Sequence, residues 1–150
     1  MEIRKAKISD VKSISKLINF YAEQDQMLHR PLADIYENLQ RFLIAELDGN
    51  VIGCCALSII WSDLAEIKSL AIDQNHKSKR IGSALVQAAI NFAAELGIEK
   101  VFALTLEKDF FEKNGFEQVD TNSLPMKVWS DCAKCPKQDH CDEIAVIKYI

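Results

Sequence analysis

The chain has 150 residues, of which 49% are hydrophobic and 27% charged, and its formal net charge is −4. This length and balance predict one globular domain with a full core. The acidic balance excludes bulk attraction to nucleic acid or to an anionic membrane surface. The chain has no apolar run of membrane-spanning length and no signal-peptide core near Met1. We therefore expect a cytoplasmic protein whose five cysteines are mostly reduced.

The first third of the chain predicts a strand followed by two helices. Residues 2–8 alternate as in a short strand, and Ser9 or Asp10 can cap the helix that follows. Residues 28–31 end this helix. A second helix with one apolar face then follows, carrying Ile35, Leu39 and Phe42.

The remaining elements alternate between strands and helices. Strands over 43–47 and 51–61 are joined by Asp48-Gly49-Asn50, a strong hairpin signal, and a strand over 64–73 follows. A helix from about Gly82 to Leu96 comes next. The later elements are a strand over 101–104, a helix over 109–114, and strands over 116–119 and 145–150, with Gly97 and Gly115 as helix caps. This order predicts an α/β (α+β) sheet with helices on both faces.

The loop before the long helix is the most informative segment. It places four basic or potentially basic side chains in five residues: His76, Lys77, Lys79 and Arg80. The helix macrodipole disfavours cations at an N-terminus, whereas free backbone N–H groups there attract phosphate. The loop therefore predicts an anion site, and the alternative is a solvated basic turn.

Three segments carry a resemblance to the GCN5-related N-acetyltransferases, the GNAT family. They are Leu70-Ala71-Ile72-Asp73, the basic loop from Lys77 to Gly82, and Phe110-Phe111-Glu112-Lys113-Asn114-Gly115-Phe116. The resemblance implies one GNAT domain over 1–150 with a mixed, mostly antiparallel sheet. It also implies acetyl-CoA as cosubstrate, no required metal, and direct attack of an amine on the thioester through a tetrahedral intermediate.

Within the family, the chain resembles short bacterial N-acetylglutamate synthases. The segments concerned are Leu28 to Leu32, Phe102 to Thr105, and Leu124 to Pro136 with Cys141-Asp142-Glu143. This implies L-glutamate as the acceptor and a place in arginine biosynthesis. The chain departs from the family at Arg80, a position usually glycine, at Lys77, and at Phe111, where many members have a tyrosine that can protonate the leaving thiolate.

The resemblance assigns the cosubstrate to a strand edge and the basic loop. The implied contacts are Leu70, Ala71, Ile72, Lys77, Ser78, Lys79, Arg80, Ile81, Gly82, Ser83 and Phe111. The strand edge can pair with pantetheine amides like an added strand, and the N–H groups of 77–83 can hold the diphosphate. A backbone N–H of the same strand can stabilise the oxyanion.

Four charged residues are candidates for the acceptor chemistry. Glu66 is the candidate general base, and alternation places it on one face with Lys68 and Leu70. The alternative is a solvated carboxylate paired with a lysine. Arg30 is the candidate carboxylate ligand, or else a surface arginine, and Lys127 and Lys68 are weaker candidates.

The cysteines suggest a second, weaker site. Cys132, Cys135, His140 and Cys141 offer four soft ligands in ten residues, which suits Zn²⁺. Their spacing is not a standard zinc pattern, so reduced thiols or an oxidisable pair are the alternatives. We expect Cys54 or Cys55 to pack in the core.

Three functional classes follow from these features. The first is an amino-acid N-acetyltransferase acting on glutamate, and the second is the same fold acting on another amino acid, a polyamine or a protein N-terminus. The third is a non-catalytic acetyl-CoA-binding module, which Phe111 leaves open. The oligomeric state is not readable from the sequence, and a homodimer is one alternative.

Overall fold

A computed structural model describes residues 1–77, 79–124 and 143–150, with only the backbone of Lys79. Its strands are β1 (Glu2–Lys5), β2 (Phe42–Leu47), β3 (Asn50–Trp61), β4 (Leu64–Ile72), β5 (Lys100–Thr105), β6 (Glu117–Val119) and β7 (Ile144–Tyr149). Its helices are α1 (Val11–Ala22), α2 (Leu32–Glu37), α3 (Lys79–Glu95) and α4 (Lys108–Lys113). In these described parts, no helix combines the length and apolar character needed to cross a bilayer.

The strands form one sheet in the order β1-β2-β3-β4-β5-β7-β6. All neighbouring pairs are antiparallel except β4 and β5, which run parallel. The expected mixed, mostly antiparallel α/β sheet is therefore confirmed.

Alternating side chains divide the core between the two faces of the sheet. On one face, Leu85 and Val86 of α3 pack with Phe111 of α4 against the sheet. On the other face, which we name the second face, Ile14 and Ile18 of α1 pack against β2 and β3. A smaller cluster on this second face surrounds Phe102, Ala145 and Leu124, towards β5 and β7. The helices thus cover both faces, as the sequence predicts.

Two predicted helix boundaries are wrong, and one predicted cap forms differently. Asp10 is the N-cap residue of α1, as the sequence predicts, but its side chain makes no capping bond, because its carboxylate accepts the Lys7 N–H at 2.7 Å and two bonds from Arg4. Phe42 begins β2 instead of continuing a helix, since α2 ends at Glu37. Helix α3 begins at Lys79, three residues before the expected start at Gly82.

The Arg4–Asp10 pair ties β1 to the start of α1. The guanidinium donates to both Asp10 oxygens, at 2.8 and 3.1 Å, and to Glu46 at 3.0 Å. Asp10 is only 5% exposed. Hydrogen bonding from Arg4 lowers the pKa of the Asp10 carboxyl, and burial opposes this shift only in part. A buried carboxylate held in this way stabilises the fold only while it is ionised.

Candidate active site

The sheet opens between β4 and β5. These strands pair over three positions only, with Leu64, Ala65 and Glu66 opposite Lys100, Val101 and Phe102. Beyond Glu66, β4 continues to Ile72 along β3, but within the described residues it has no strand partner on its other side. The backbone groups of β4 on that side form an open edge, which is the geometry needed to bind an extended amide-containing ligand. We name this opening the fork.

A β-bulge lies beside the fork. Lys68 pairs with Ala56 and Ala71 pairs with Cys54, so Ser69 and Leu70 together oppose the single residue Cys55. Ser69 has a φ of 57°, the left-handed region. The extra residue reverses the alternation of the faces beyond it.

The bulge corrects one prediction from the sequence. Leu70 packs with the cluster beneath α3, whereas Ala71 packs with the cluster beneath α1. Glu66 therefore does not share a face with Leu70, although strict alternation predicts that it does.

Glu66 lies at the closed end of the fork. It is 5% exposed, which contradicts the alternative of a solvated strand carboxylate. Its neighbours in the sheet are Ser58 on β3 and Phe102 on β5. Ser58 is 4% exposed, and in the described part of the chain its hydroxyl has no hydrogen-bond partner. A buried carboxylate beside a buried hydroxyl forms a polar position within the apolar second face.

Arg30 lies in the segment before α2 and reaches this same face. Its Nε donates to Asp34 Oδ2 at 2.7 Å, and its Nη1 donates to Ser69 Oγ at 3.1 Å. Its guanidinium also lies 5.1 Å from the centre of the Phe42 ring. The side chain is 11% exposed, so the alternative of a surface arginine is wrong.

Lys68 belongs to the same charged group. Burial raises the pKa of the Asp34 carboxyl, but bonding and charge from Arg30 and the positive charge of Lys68 outweigh it, so this pKa lies below its usual value. Arg30, Asp34 and Lys68 thus form one group, with two cations and one anion, next to the bulge. Because Asp34 stays ionised, Arg30 keeps its partner through neutral pH.

The basic loop follows β4 directly. Asp73 accepts the Asn75 N–H at 2.9 Å and forms a single turn over Gln74–His76. The Tyr21 hydroxyl donates to the Ile72 carbonyl, and Lys77 lies 5.6 Å from the centre of the Tyr21 ring. Burial, and then the charge of Asp73, raise the pKa of Tyr21, which keeps this hydroxyl protonated.

The start of α3 supplies the donors that an anion needs. The N–H groups of the first helical residues have no partner inside the helix, and in the described part of α3 they belong to residues 79–81. The N–H of Ser83 instead falls in the second turn, where it bonds within the helix. His76, Lys77 and Arg80 are exposed around these donors. Free N–H groups and nearby cations fit a diphosphate.

Helix α4 packs against α3 through aromatic rings. A side chain at Gly82 would meet the Phe110 ring at 3.1 Å, so glycine permits this close approach. Phe111 is buried and makes edge-on contacts with Phe110 and Phe116, at 5.1 and 5.2 Å between ring centres. Phe111 carries no hydroxyl, so this position offers no proton to a leaving thiolate.

The remaining candidate residues divide into two groups. Lys127, Cys132, Cys135, His140 and Cys141 lie outside the described residues. Within the described ranges, no group of three or more His, Cys, Asp or Glu side chains is placed to hold a metal. Cys54 and Cys55 are both fully buried, and burial raises the pKa of Cys54 to about 12 and that of Cys55 still further. Both are unreactive packing thiols.

The fold agrees with comparisons to known proteins. Residues 8–116 match the sequence model of the acetyltransferase (GNAT) family. The chain belongs to the GNAT family. Its activity is therefore acetyl-CoA-dependent N-acetyl transfer, and acetyl-CoA is its cosubstrate.

Individual relatives narrow the comparison within the family. An uncharacterised N-acetyltransferase of Chlorobaculum tepidum is 40% identical over 97% of this chain and 94% of its own length. An amino-acid acetyltransferase of Mycobacterium tuberculosis is 36% identical over 88% of this chain and 77% of its own. The N-acetylglutamate synthase of Neisseria gonorrhoeae, solved with coenzyme A and N-acetyl-glutamate, superposes with a TM-score of 0.88 at 28% identity. That match covers 99% of this chain but 34% of the Neisseria chain.

Three polar residues of the second face are missing from the sequence predictions. Asp34 had no clear signal, because Arg30 precedes Pro31 and lies outside α2, so the helical spacing rule for ion pairs does not apply to this pair. Ser58 and Ser69 had none, because a serine in a strand pattern does not reveal burial or a bulge. The register of β3 against β4 shows that Ser58 lies opposite Glu66 and that Ser69 lies in the bulge.

Proposed function

We propose that this GNAT domain, over residues 1–150, transfers the acetyl group of acetyl-CoA to the α-amino group of L-glutamate. This is the N-acetylglutamate-forming step of arginine biosynthesis. The observation that carries the proposal is the half-buried Arg30, whose side chain is 11% exposed and is held beside Lys68 and the bulge of β4. The names of the Mycobacterium and Neisseria proteins support the same acceptor class.

The charges of the second face match the charges of glutamate. Arg30 and Lys68 bring two cations to this face, which also carries the carboxylates of Asp34 and Glu66. An arginine is suited to a planar carboxylate. Asp34 and Ser69 occupy only Nε and Nη1 of Arg30, and in the described part of the chain its Nη2 bonds to no other group. This nitrogen is the donor that we assign to a substrate carboxylate. Lys127 remains a weaker candidate for the second carboxylate.

The residues around the fork divide the remaining work. The open edge at Leu70–Ile72 aligns the cosubstrate, whose thioester supplies the acetyl group, and residues 77–82 bind its diphosphate. The side chain of Ile81 is buried in the core, so it holds the first turn of α3 in place beneath the diphosphate site. Glu66 accepts the proton that the substrate ammonium must lose before its nitrogen can form the new amide bond. The leaving thiolate then takes a proton from solvent or from a neighbouring group, since Phe111 has none to give.

The test is acetyl-CoA turnover measured across the twenty amino acids, a polyamine and a short peptide. We expect glutamate to give the highest kcat/KM. Glutamine, its uncharged isostere, should be about 10- to 100-fold poorer, because it loses a charge-assisted bond of about 1.5–3 kcal/mol. A higher kcat/KM for a neutral amino acid, the polyamine or the peptide would refute glutamate as the acceptor. Acetyl-CoA binding with no turnover on any amine would instead support a non-catalytic module.

A further inference from the structure

Ser69 has a backbone conformation that does not suit its residue type. Its φ of 57° lies in the left-handed region, at the bulge position where glycine is the usual residue. Of the residues that the structure describes, only Asp25 and Asp48 share a positive φ without being glycine, and neither lies within a strand. A strained residue inside a strand beside a candidate site calls for a functional reason.

The side chain of Ser69 provides that reason. Its Oγ accepts a hydrogen bond from Arg30 Nη1 at 3.1 Å, across 39 residues of sequence. Asp34 holds Nε of the same guanidinium from the opposite element, α2, and the Phe42 ring lies 5.1 Å from it. Of these three contacts of Arg30, with Ser69, Asp34 and Phe42, only the bond to Ser69 connects it to β4. Glycine would fit the backbone more easily but would leave Nη1 without this partner.

We propose that Ser69 is a positioning residue for acceptor binding: its hydroxyl fixes Arg30 against the bulge, at a set distance from the open edge of β4. Ser69 lies on that open edge, immediately before the segment Leu70–Ile72 that we assign to the cosubstrate. One serine therefore connects the group that we assign to the substrate carboxylate with the strand that we assign to the cosubstrate. This inference rests on the proposed role of Arg30 in acceptor binding.

The first test is Ser69→Gly, which suits the left-handed backbone and removes the side chain that carries the hydroxyl. We expect the KM for glutamate to rise about fivefold to tenfold, while the KM for acetyl-CoA and the melting temperature change little. Ser69→Asn should recover part of the loss, because asparagine tolerates this φ and retains a side-chain acceptor. Ser62→Gly, in the exposed turn of the same hairpin, is the matched control and should behave as wild type.

The second test asks whether Ser69 acts through Arg30. We expect the Arg30→Ala/Ser69→Gly double variant to have the same glutamate KM as Arg30→Ala alone, because the hydroxyl has no further role once the guanidinium is gone. Additive losses, or equal rises in both KM values for Ser69→Gly, would overturn the positioning role. If Arg30→Ala itself leaves the glutamate KM unchanged, the proposed acceptor site fails as well. A loss in Arg30→Ala with none in Ser69→Gly rejects the inference about Ser69 alone.

Discussion

Replacing Glu66 by glutamine tests the proposed general base directly. The substitution keeps the size of a side chain that is 5% exposed and removes its capacity to accept a proton. A positioned base contributes about 10²- to 10⁴-fold to a proton-transfer step, so we expect kcat with glutamate to fall at least ~100-fold at neutral pH. The KM for acetyl-CoA should change little, because the proposed diphosphate and pantetheine contacts lie beyond Glu66 on β4 and at the start of α3.

The pH profile gives this prediction a second, independent measurement. Without a base, only the unprotonated fraction of the acceptor reacts, so log kcat/KM of Glu66→Gln should rise with a slope near one until the amine itself is deprotonated. The wild-type profile should reach its plateau at lower pH, and the deficit should shrink as the pH increases. Glu117→Gln, an exposed strand carboxylate on β6, is the matched control. A Glu66→Gln enzyme with wild-type kcat, or with a constant deficit at all pH values, would refute the assignment.

Two further substitutions test the anion site and the fold. Lys79→Pro, at the first position of α3, removes one free N–H without breaking the helix. In calorimetry it should bind acetyl-CoA about 10-fold or more weakly than Lys79→Ala. Equal affinities would exclude that N–H as a ligand. Asp10→Asn breaks the buried pair with Arg4 and should lower the free energy of unfolding at pH 7 by about 3 kcal/mol, or roughly 10 °C in Tm. Because the pKa of Asp10 is depressed in the folded state, the wild type should lose this contribution as the pH falls below about 4. The free energy of unfolding of Asp10→Asn should fall less steeply over the same acid range. Identical acid dependence of the two proteins would contradict this reasoning.

Local signals in the sequence were sufficient for most of the fold. Asp48-Gly49-Asn50 predicts the β2–β3 turn because few residues adopt the positive φ that Asp48 and Gly49 have in the structure. Gly97 and Gly115 follow α3 and α4 with φ values of 86° and 90°, so the cap prediction is confirmed. Phe42 was misplaced because a spacing of three to four residues from Ile35 and Leu39 fits a helix, and its strand conformation depends on pairing with Ala56.

The candidate site was less readable for a physical reason. The basic loop is contiguous in sequence and could be found from its charges alone. The second face depends on residues that are far apart in the chain, such as Arg30 and Ser69. These two residues meet at the bulge, where two residues of β4 lie opposite one residue of β3. Periodicity assumes uniform strands, so it cannot predict a bulge or the reversal of faces beyond it.

Only three residue pairs join β4 to β5, so the sheet consists of two sections, β1–β4 and β5–β7, that meet at a short seam. Few backbone bonds cross this seam, so its amides should exchange with solvent through local opening at a lower free energy than those of the β2–β3 hairpin. If acetyl-CoA binds along β4 as proposed, it supplies the missing ladder, and its binding stabilises the folded sheet by an amount that grows with its concentration. The lifetime of this protein in the cell, and its resistance to proteases, should therefore follow the local supply of acetyl-CoA.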